Sequence, residues 1–471
     1  MIDHDADQAG GIDDDVPDEY YDDETEIRLV SLSEDALSVD FVNRNAHRLK
    51  WTAGMDWFFN TGERWAPDEG LKRFNFSRIV AREAAATLSA KDLKLARKIA
   101  SNGTISSIVN LSKSDPSISI SINSWDSDPM ALNTPDGMVD LKTGNIRPRA
   151  GDFVTRCTRC TPDRSIPTPT WLKFLDSVFS QDEEMIEFIR RLLGYFITAD
   201  RREQKIFFAH GLGSNGKSTL FNFFQWLCGD YALDLPAEVL MTQRNPGHPT
   251  ELAQLRGIRI AISGEIERGS HWAEARINRL TGEETLTARV MRGDPFTFRQ
   301  TQKHLVVGNH KPRLDGSDPA LVRRFVLIPF DAVFAAGQRD MTMIDKLKEE
   351  APGVLAWIIQ GSVEWYNSGL QIPSKISSSS AEYMEENDDI GTWMSECCEM
   401  ASSSPLAKAA DLYESYSTWV KARGQFAVSL PLWAKRLKTD PNITSKKSGS
   451  IRYEGISLTL SERERLADLR R

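Results

Sequence analysis

Four short apolar runs stand out along the middle of the chain, at Ile206 to His210, Arg259 to Ser263, His304 to Gly308 and Val326 to Phe330. Each lacks polar alternation and ends in a polar or glycine-bearing turn, the pattern of a short buried strand. Trp171 to Ala199 and Ser218 to about Leu227 repeat apolar residues at helical spacing, and helices resume past residue 335, up to a polar serine-rich stretch at Ser374 to Ser380 and a second at Ser402 to Pro405. Upstream, residues 31–110 read mainly as helix, with Trp51, Trp57, Phe58, Phe59 and Trp65 gathered near a hairpin at Asn60-Thr61-Gly62. Turn clusters at Asn133 to Gly137 and Lys142 to Asn145 then predict a small antiparallel sheet, and the run PDRSIPTP at Pro162 to Pro169 reads as a linker. The segment Thr285 to Gln302 reads as a β-hairpin turning at Arg292-Gly293-Asp294-Pro295. In the last 65 residues, helices near 408–423 and 429–438 precede a turn at Lys446 to Ser450 between two short strands, a winged-helix-like pattern with more bases than acids.

A chain of 471 residues exceeds one ordinary core, so several domains are expected. The pattern divides it into an acidic tail (1–30), a mixed α+β accessory domain (31–165), an α/β core with preceding helices (166–335), a helical segment (336–400) and the winged-helix-like domain (401–471). No apolar run approaches the roughly 20 residues of a spanning helix. The N-terminus is acidic where a secretory signal would be basic, so no membrane partner is expected and the cytoplasm is the default compartment. Five cysteines are too few and irregular for a disulfide framework, and Cys157 and Cys160 lack a second pair at zinc-site spacing. The net charge of -9 is uneven: residues 1–27 hold twelve acids and no Lys or Arg, leaving 55 acids against 58 bases. The tail reads as a solvated, disordered segment, and the body keeps a balance compatible with nucleic acid.

The first strand runs directly into Gly211-Leu212-Gly213-Ser214-Asn215-Gly216-Lys217-Ser218-Thr219, which matches G-x-x-x-x-G-K-[ST] in its strand, loop, helix context. Amides of such a loop hold phosphate oxygens, and glycines keep side chains out of the turn. Lys217 would face the β and γ phosphates, and the Ser218 hydroxyl would complete a Mg²⁺ shell. The second strand ends at Glu265 and Glu267, carboxylates suited to that metal shell, Glu265 also to orienting an attacking water. The third ends on Asn309, whose amide could bridge that water and the γ phosphate. Arg323 and Arg324 precede the fourth, and a guanidinium there could reach a neighbouring subunit's site.

In order, Gly211 to Thr219, Glu265, Trp272-Ala273-Glu274-Ala275-Arg276, Leu280-Thr281-Gly282, Thr287-Ala288-Arg289, Gly308-Asn309-His310-Lys311-Pro312 and Arg323-Arg324-Phe325 resemble the superfamily 3 helicases. More narrowly, they resemble the C-terminal part of phage and plasmid primases related to the poxvirus primase-helicase. The resemblance continues through Asp136 to Gly144, Gly194-Tyr195, Gly229-Asp230-Tyr231-Ala232 and Trp357 to Leu370, covering roughly residues 45–440. It implies an AAA+-like P-loop NTPase core and a homo-hexameric ring with ATP and Mg²⁺ between subunits. Glu265 would be the B-motif acid, Asn309 the sensor, and Arg324 or Arg323 the trans-acting arginine. The hairpin would enter a central channel, making Arg292, and after it Arg289 and Lys303, contacts for DNA phosphate. Asn278, where the family often has Lys, and Glu283-Glu284, where it often has Gly-Asp, depart from the pattern. No acid cluster has the spacing of a metal-dependent polymerase, so primer synthesis is not expected of this chain, and a separate primase or polymerase becomes a candidate partner. The expected activity is ATP-dependent helicase or translocase action on single-stranded or forked DNA during replication of a phage, prophage or plasmid, in the bacterial host cytoplasm. The rivals are a nucleotide-switched initiator or loader that never unwinds, and a ring ATPase acting on protein or in defence.

Overall fold

The computed structural model describes residues 30–471 except 244–249, 265, 268, 290–293, 315–318, 336, 338, 387, 401–405, 424–426, 439 and 449, with the side chains of 319, 320 and 448 also outside it. The chain divides after Ser124 into two units.

The first unit packs helices α1 (Glu34–Asn45), α2 (Lys72–Ala86), α3 (Leu93–Ile99) and α4 (Asn102–Leu111) with an antiparallel sheet of β1 (Leu49–Thr52), β2 (Asp56–Asn60) and β3 (Trp65–Pro67). Its core gathers Leu37, Phe41, Leu49, Trp57, Val80 and Ile108. The hairpin expected at Asn60-Thr61-Gly62 joins β2 to β3, with Gly62 at φ 97° and its amide donating to Asn60 Oδ1 at 2.9 Å.

The second unit opens with the antiparallel strands β4 (Ala131–Thr134), β5 (Gly137–Asp140) and β6 (Asn145–Arg147). The sequence pattern assigns these to an accessory domain ending at 165. Leu132, Val139 and Leu141 instead share a core with Trp171, Phe188 and Phe207, which draws the segment into the second unit. Helices α5 (Pro169–Val178) and α6 (Glu183–Phe196) lead into the central alternation of β7 (Ile206–His210), α7 (Lys217–Cys228), β8 (Ala232–Asp234), α8 (Thr250–Ala253), β9 (Ile260–Ser263) and α9 (Glu274–Gly282). The hairpin of β10 (Thr285–Arg289) and β11 (Pro295–Arg299) follows, then β12 (Lys303–Gly308), α10 (Pro319–Val322) and β13 (Phe325–Pro329).

Strands β13, β7, β12, β9 and β8 form one parallel sheet in that order. Successive side chains point to opposite faces, and both faces are covered, which is why these strands read as unbroken apolar runs. Phe207, Ala209, Ile260, Ile262, Leu305, Val326 and Ile328 face a core shared with α5, α6 and α7. Ile206, Phe208, Ala261, Val306 and Leu327 face Trp272, Leu280, Phe298 and Tyr383. Burying each large apolar side chain contributes roughly 1.5–3 kcal/mol, so the sheet is a rigid platform.

Helices α11 (Met343–Glu349), α12 (Ala351–Ser368) and α13 (Ser374–Glu386) wrap this platform. The serine-rich stretch at 374–380, read as an interruption of the helices, is the first half of α13. Its Ser377 and Ser380 hydroxyls donate to the carbonyls of Pro373 and Ile376, four residues back, so they do not break the helix. Beyond it, α14 (Asp389–Cys397), β14 (Cys398–Met400), β15 (Ala407–Lys408), α15 (Ala409–Ala422), α16 (Leu430–Leu437), β16 (Thr444–Ser448), β17 (Ser450–Glu454), β18 (Ile456–Leu458) and α17 (Leu460–Leu469) build a separate core around Trp393, Tyr416, Trp433 and Tyr453. Here β17 lies between β15 and β16, antiparallel to both.

The crossing of α6 over α12 depends on two glycines. A Cβ at Gly361 would run into the Arg190 carbonyl, and one at Gly194 into the Gly361 and Ser362 backbone. The Arg190 to Glu364 ion pair, at 2.9 Å, flanks the contact. Gly361→Ala should therefore lower stability by about 1–3 kcal/mol through overpacking, read as a lower urea midpoint. Gly103→Ala in α4, where a Cβ meets only Ser101 Oγ at 3.6 Å, should leave stability unchanged or raise it by about 0.5 kcal/mol.

Candidate functional site

The register of the sheet brings His210, Gly308 and Pro329 to one edge, the carboxyl ends of β7, β12 and β13. The loop from Gly211 to Gly216 leaves that edge and turns through left-handed backbone at Gly213 (φ 102°), Ser214 (φ 52°) and Gly216 (φ 83°). Glycine is needed at the two ends for space as well: a Cβ at Gly211 would collide with the Asn215 side chain and the Phe330 carbonyl, and one at Gly216 would lie 2.5 Å from Val178 Cγ2. The Phe334 amide donates to the Ser214 carbonyl at 2.8 Å and pins the outer curve.

Lys217, the first residue of α7, folds its side chain back into the loop and is only 3% exposed. Its ammonium donates to the Gly211 carbonyl at 2.8 Å, to Asn215 Oδ1 at 2.9 Å and to Asn309 Oδ1 at 3.1 Å. Asn215 is itself buried, with Nδ2 donating to the Phe330 carbonyl at 3.0 Å. Burial without a carboxylate partner pushes the Lys217 pKa down to about 8. His210, just before the loop, is also shifted down, by burial first and then by Lys311 and Lys217. Ser218 is exposed in the first turn of α7 and Thr219 half-buried. Loop amides and the unsatisfied first-turn amides of α7 make a cradle for an anion, with Lys217 as its cation.

Glu265 lies outside the described residues, and Glu267 is exposed beyond the end of β9. The loop that carries Glu267 is stitched to the loop after Asn309: the Arg313 amide donates to the Ser270 carbonyl at 2.8 Å and the Trp272 amide to the Arg313 carbonyl at 2.9 Å. The Trp272 indole donates to the Tyr383 hydroxyl at 2.7 Å, and that hydroxyl donates to the Pro312 carbonyl. Tyr383, buried on α13, thus holds both loops, a role no local signal announces because its partners are distant in sequence.

Arg323 and Arg324 stand elsewhere. Phe325 aligns with Ile206, so both arginines sit at the amino edge of the sheet, opposite the loop. At about 3.3 Å per residue, the five-residue strand separates them from the cradle by roughly 17 Å. Arg324 lies beside Gly282, and the Arg323 carbonyl accepts from Lys205 Nζ at 2.9 Å. Neither can serve the Lys217 site of its own chain. Arg289 is exposed on the hairpin, and Arg292 lies outside the described residues.

Lys303 corrects the expectation of a DNA contact. It is 2% exposed, its ammonium donates to the Thr198 carbonyl beyond α6, and it sits 5.0 Å from the Tyr195 ring centroid. Burial, with Arg259 beside it, holds its pKa well below the usual lysine value. Arg259 makes the matching contact, donating to the carbonyls of Ile197 and Ala131. These cations satisfy the carbonyls that α6 leaves open at its carboxyl end.

A family described as D5 N terminal like matches residues 40–180, and a family of unknown function, DUF5906, matches residues 209–324. Two curated viral proteins, both provisionally named as helicases, are similar. The one from Acanthamoeba polyphaga mimivirus is 22% identical over 348 residues, 68% of this chain and 36% of that protein. The one from Frog virus 3 (isolate Goorha) is 22% identical over 285 residues, 56% of this chain and 29% of that protein. The chain thus spans about a third of the length of these relatives. The apo structure of the NrS-1 C-terminal region is 12% identical, with 87% of this chain and 96% of that one covered, at a TM-score of 0.45. The chain is thus similar over parts of its length to the D5 N terminal like family and to viral proteins provisionally named as helicases. Among the described residues, no helix is long and apolar enough to cross a membrane.

Lys303→Ala should cost about 1–3 kcal/mol of stability by orphaning a buried carbonyl, while the folded fraction keeps whatever DNA affinity the parent has. A thermal melt beside a DNA titration checks both halves.

Proposed function

We propose that this chain is an ATP-dependent DNA helicase or translocase of superfamily 3 type, with an AAA+-like core, acting in replication of a phage, prophage or plasmid. The observation that carries this reading is the contact between Lys217 and Asn309. Strand β12 lies between the loop strand β7 and β9, the strand that leads to Glu265, and so brings an amide to the ammonium at 3.1 Å. A loop that only bound phosphate would need no such amide. Hydrolysis needs a group able both to accept from and donate to a water in line with the γ phosphate.

In this mechanism Lys217 exchanges its three neutral oxygen partners for the β and γ phosphates of ATP, and its depressed pKa rises as it does so. Ser218 and Glu265, with Glu267 nearby, would hold Mg²⁺, whose chemistry is to neutralise charge on the phosphates. Asn309 orients the attacking water. The position of Arg323 and Arg324 at the far edge supports supply of the guanidinium by a neighbouring copy, as in a homo-hexameric ring. The exposed Arg289, with Arg292 between β10 and β11 in the sequence, would track the phosphate backbone of single-stranded or forked DNA. The chain order β15, α15, α16, β16, β17, with the three strands in one antiparallel sheet, supports a winged-helix reading of the C-terminal region as a second DNA contact.

Steady-state ATP hydrolysis should rise with single-stranded or forked DNA and fall at least about 100-fold in Lys217→Ala. Slow turnover indifferent to DNA would instead favour a nucleotide-switched initiator or loader. Arg324→Ala should also be inactive alone, yet mixing it with Lys217→Ala should restore part of the activity, because an interface whose ATP site comes from the Arg324→Ala copy and whose arginine comes from the Lys217→Ala copy has both groups intact. Absence of recovery in verified mixed assemblies would assign the trans role to Arg323 or remove it from both.

A further inference from the structure

We propose that the C-terminal region carries a second binding pocket, separate from the Lys217 site, for an acidic peptide segment that also presents apolar side chains. A cavity of about 320 Å³ lies between β15, β17 and β18 on one side and α15 and α17 on the other. Its cations are Lys408, Arg452, Arg463 and Arg470, and Asp411 is its one carboxylate. That carboxylate is taken by Arg470, at 2.7 Å.

The remaining three cations have no counter-ion among the described residues. Arg463 donates Nε to the Leu458 carbonyl at 2.8 Å, which fixes the side chain and leaves the rest of its guanidinium fork uncommitted. Arg452 Nε is shut away from solvent with no hydrogen-bond partner. Lys408 and Arg452 are directly opposed on β15 and β17, and Lys446 opposes Arg452 from the other side. Lys446 is balanced by Glu454 at 2.7 Å, whereas among the described residues no carboxylate is paired with Lys408 or Arg452. Like charges facing each other across paired strands are destabilising, and a bound anion is the chemistry that relieves them.

The rest of the lining selects the anion. Leu406, Leu412, Leu458 and Leu466 supply an apolar wall, and among the described residues no aromatic ring lines the cavity to stack a base. A phosphodiester would meet the cations but leave that wall against polar sugar and phosphate. A peptide can place carboxylates on Lys408, Arg452 and Arg463 while its apolar side chains fill the wall. The volume suits a few side chains and is far too small for a duplex.

The test uses the full chain and a fluorescein-labelled hexapeptide, Asp-Asp-Asp-Leu-Pro-Phe with a free carboxylate, followed by anisotropy. Saturable binding is expected, weaker by about tenfold or more when the apolar half becomes Ser-Gly-Ser and again in either Lys408→Glu or Arg463→Gln. Lys408→Glu, which relieves the like-charge pair, should melt at or above the parental temperature, Arg463→Gln should remain folded, and both should keep the ATPase activity measured without DNA. No saturable binding, or binding indifferent to both the apolar half and the two variants, would overturn the proposal. Displacement of the peptide by oligothymidylate, with the variants losing the oligonucleotide more than the peptide, would also overturn it and assign the pocket to DNA.

Discussion

The Lys217 ammonium is a buried cation held by three neutral oxygens, and the site depends on that choice of partners. A carboxylate in place of any of them would form an ion pair too strong to surrender to an incoming anion, and an apolar wall would leave the charge unsupported. The Gly211 carbonyl, Asn215 and Asn309 lie between those limits. Each oxygen comes from a different structural cause. Gly211 can turn its carbonyl inward because no Cβ fits there, Asn215 is locked by the Phe330 carbonyl beyond β13, and Asn309 arrives at the end of β12. Three adjacent strands thus converge on one nitrogen.

That convergence demands a sheet that does not shear. Both faces are sealed by apolar side chains, and α6 and α12 approach so closely at Gly194 and Gly361 that neither glycine can gain a carbon without moving the other helix. At the amino edge, Lys303 and Arg259 satisfy carbonyls beyond α6, joining the strand that ends in Asn309 to the helix beneath it. At the carboxyl edge, Tyr383 ties the loops after β9 and β12 together. The same strands are fastened at both ends, so the position of Asn309 relative to Lys217 is set by the whole second unit.

Much of this was legible from residue order, for a physical reason. Strands buried on both faces must be apolar throughout, and a phosphate cradle is a local turn whose glycine positions follow from its own backbone. The strands at 206–210 and 303–308 and the helix at 217–228 therefore stand where the pattern predicts them. What failed depends on distant partners. Nothing beside Lys303 in sequence says that Thr198 will cover it, and a basic residue near a hairpin reads as surface. The serine-rich stretch at 374–380 reads as the polar end of a helical run until its hydroxyls turn back to the helix carbonyls. Leu132, Val139 and Leu141 likewise find core partners beyond residue 165 that no local pattern announces.

The polarity of the sheet bears most on how such a site could work. In a parallel sheet every strand delivers its carboxyl end to the same edge, so the loop, Glu267 beyond β9 and Asn309 share one side, while residues that precede a strand are carried to the other. Arg323 and Arg324 precede β13. Their distance from Lys217 is thus a consequence of topology, and no side-chain rearrangement within one chain spans about 17 Å when an extended arginine reaches less than half of that. A guanidinium from Arg323 or Arg324 could therefore reach the Lys217 edge only from a second copy, and that constraint follows from strand direction alone.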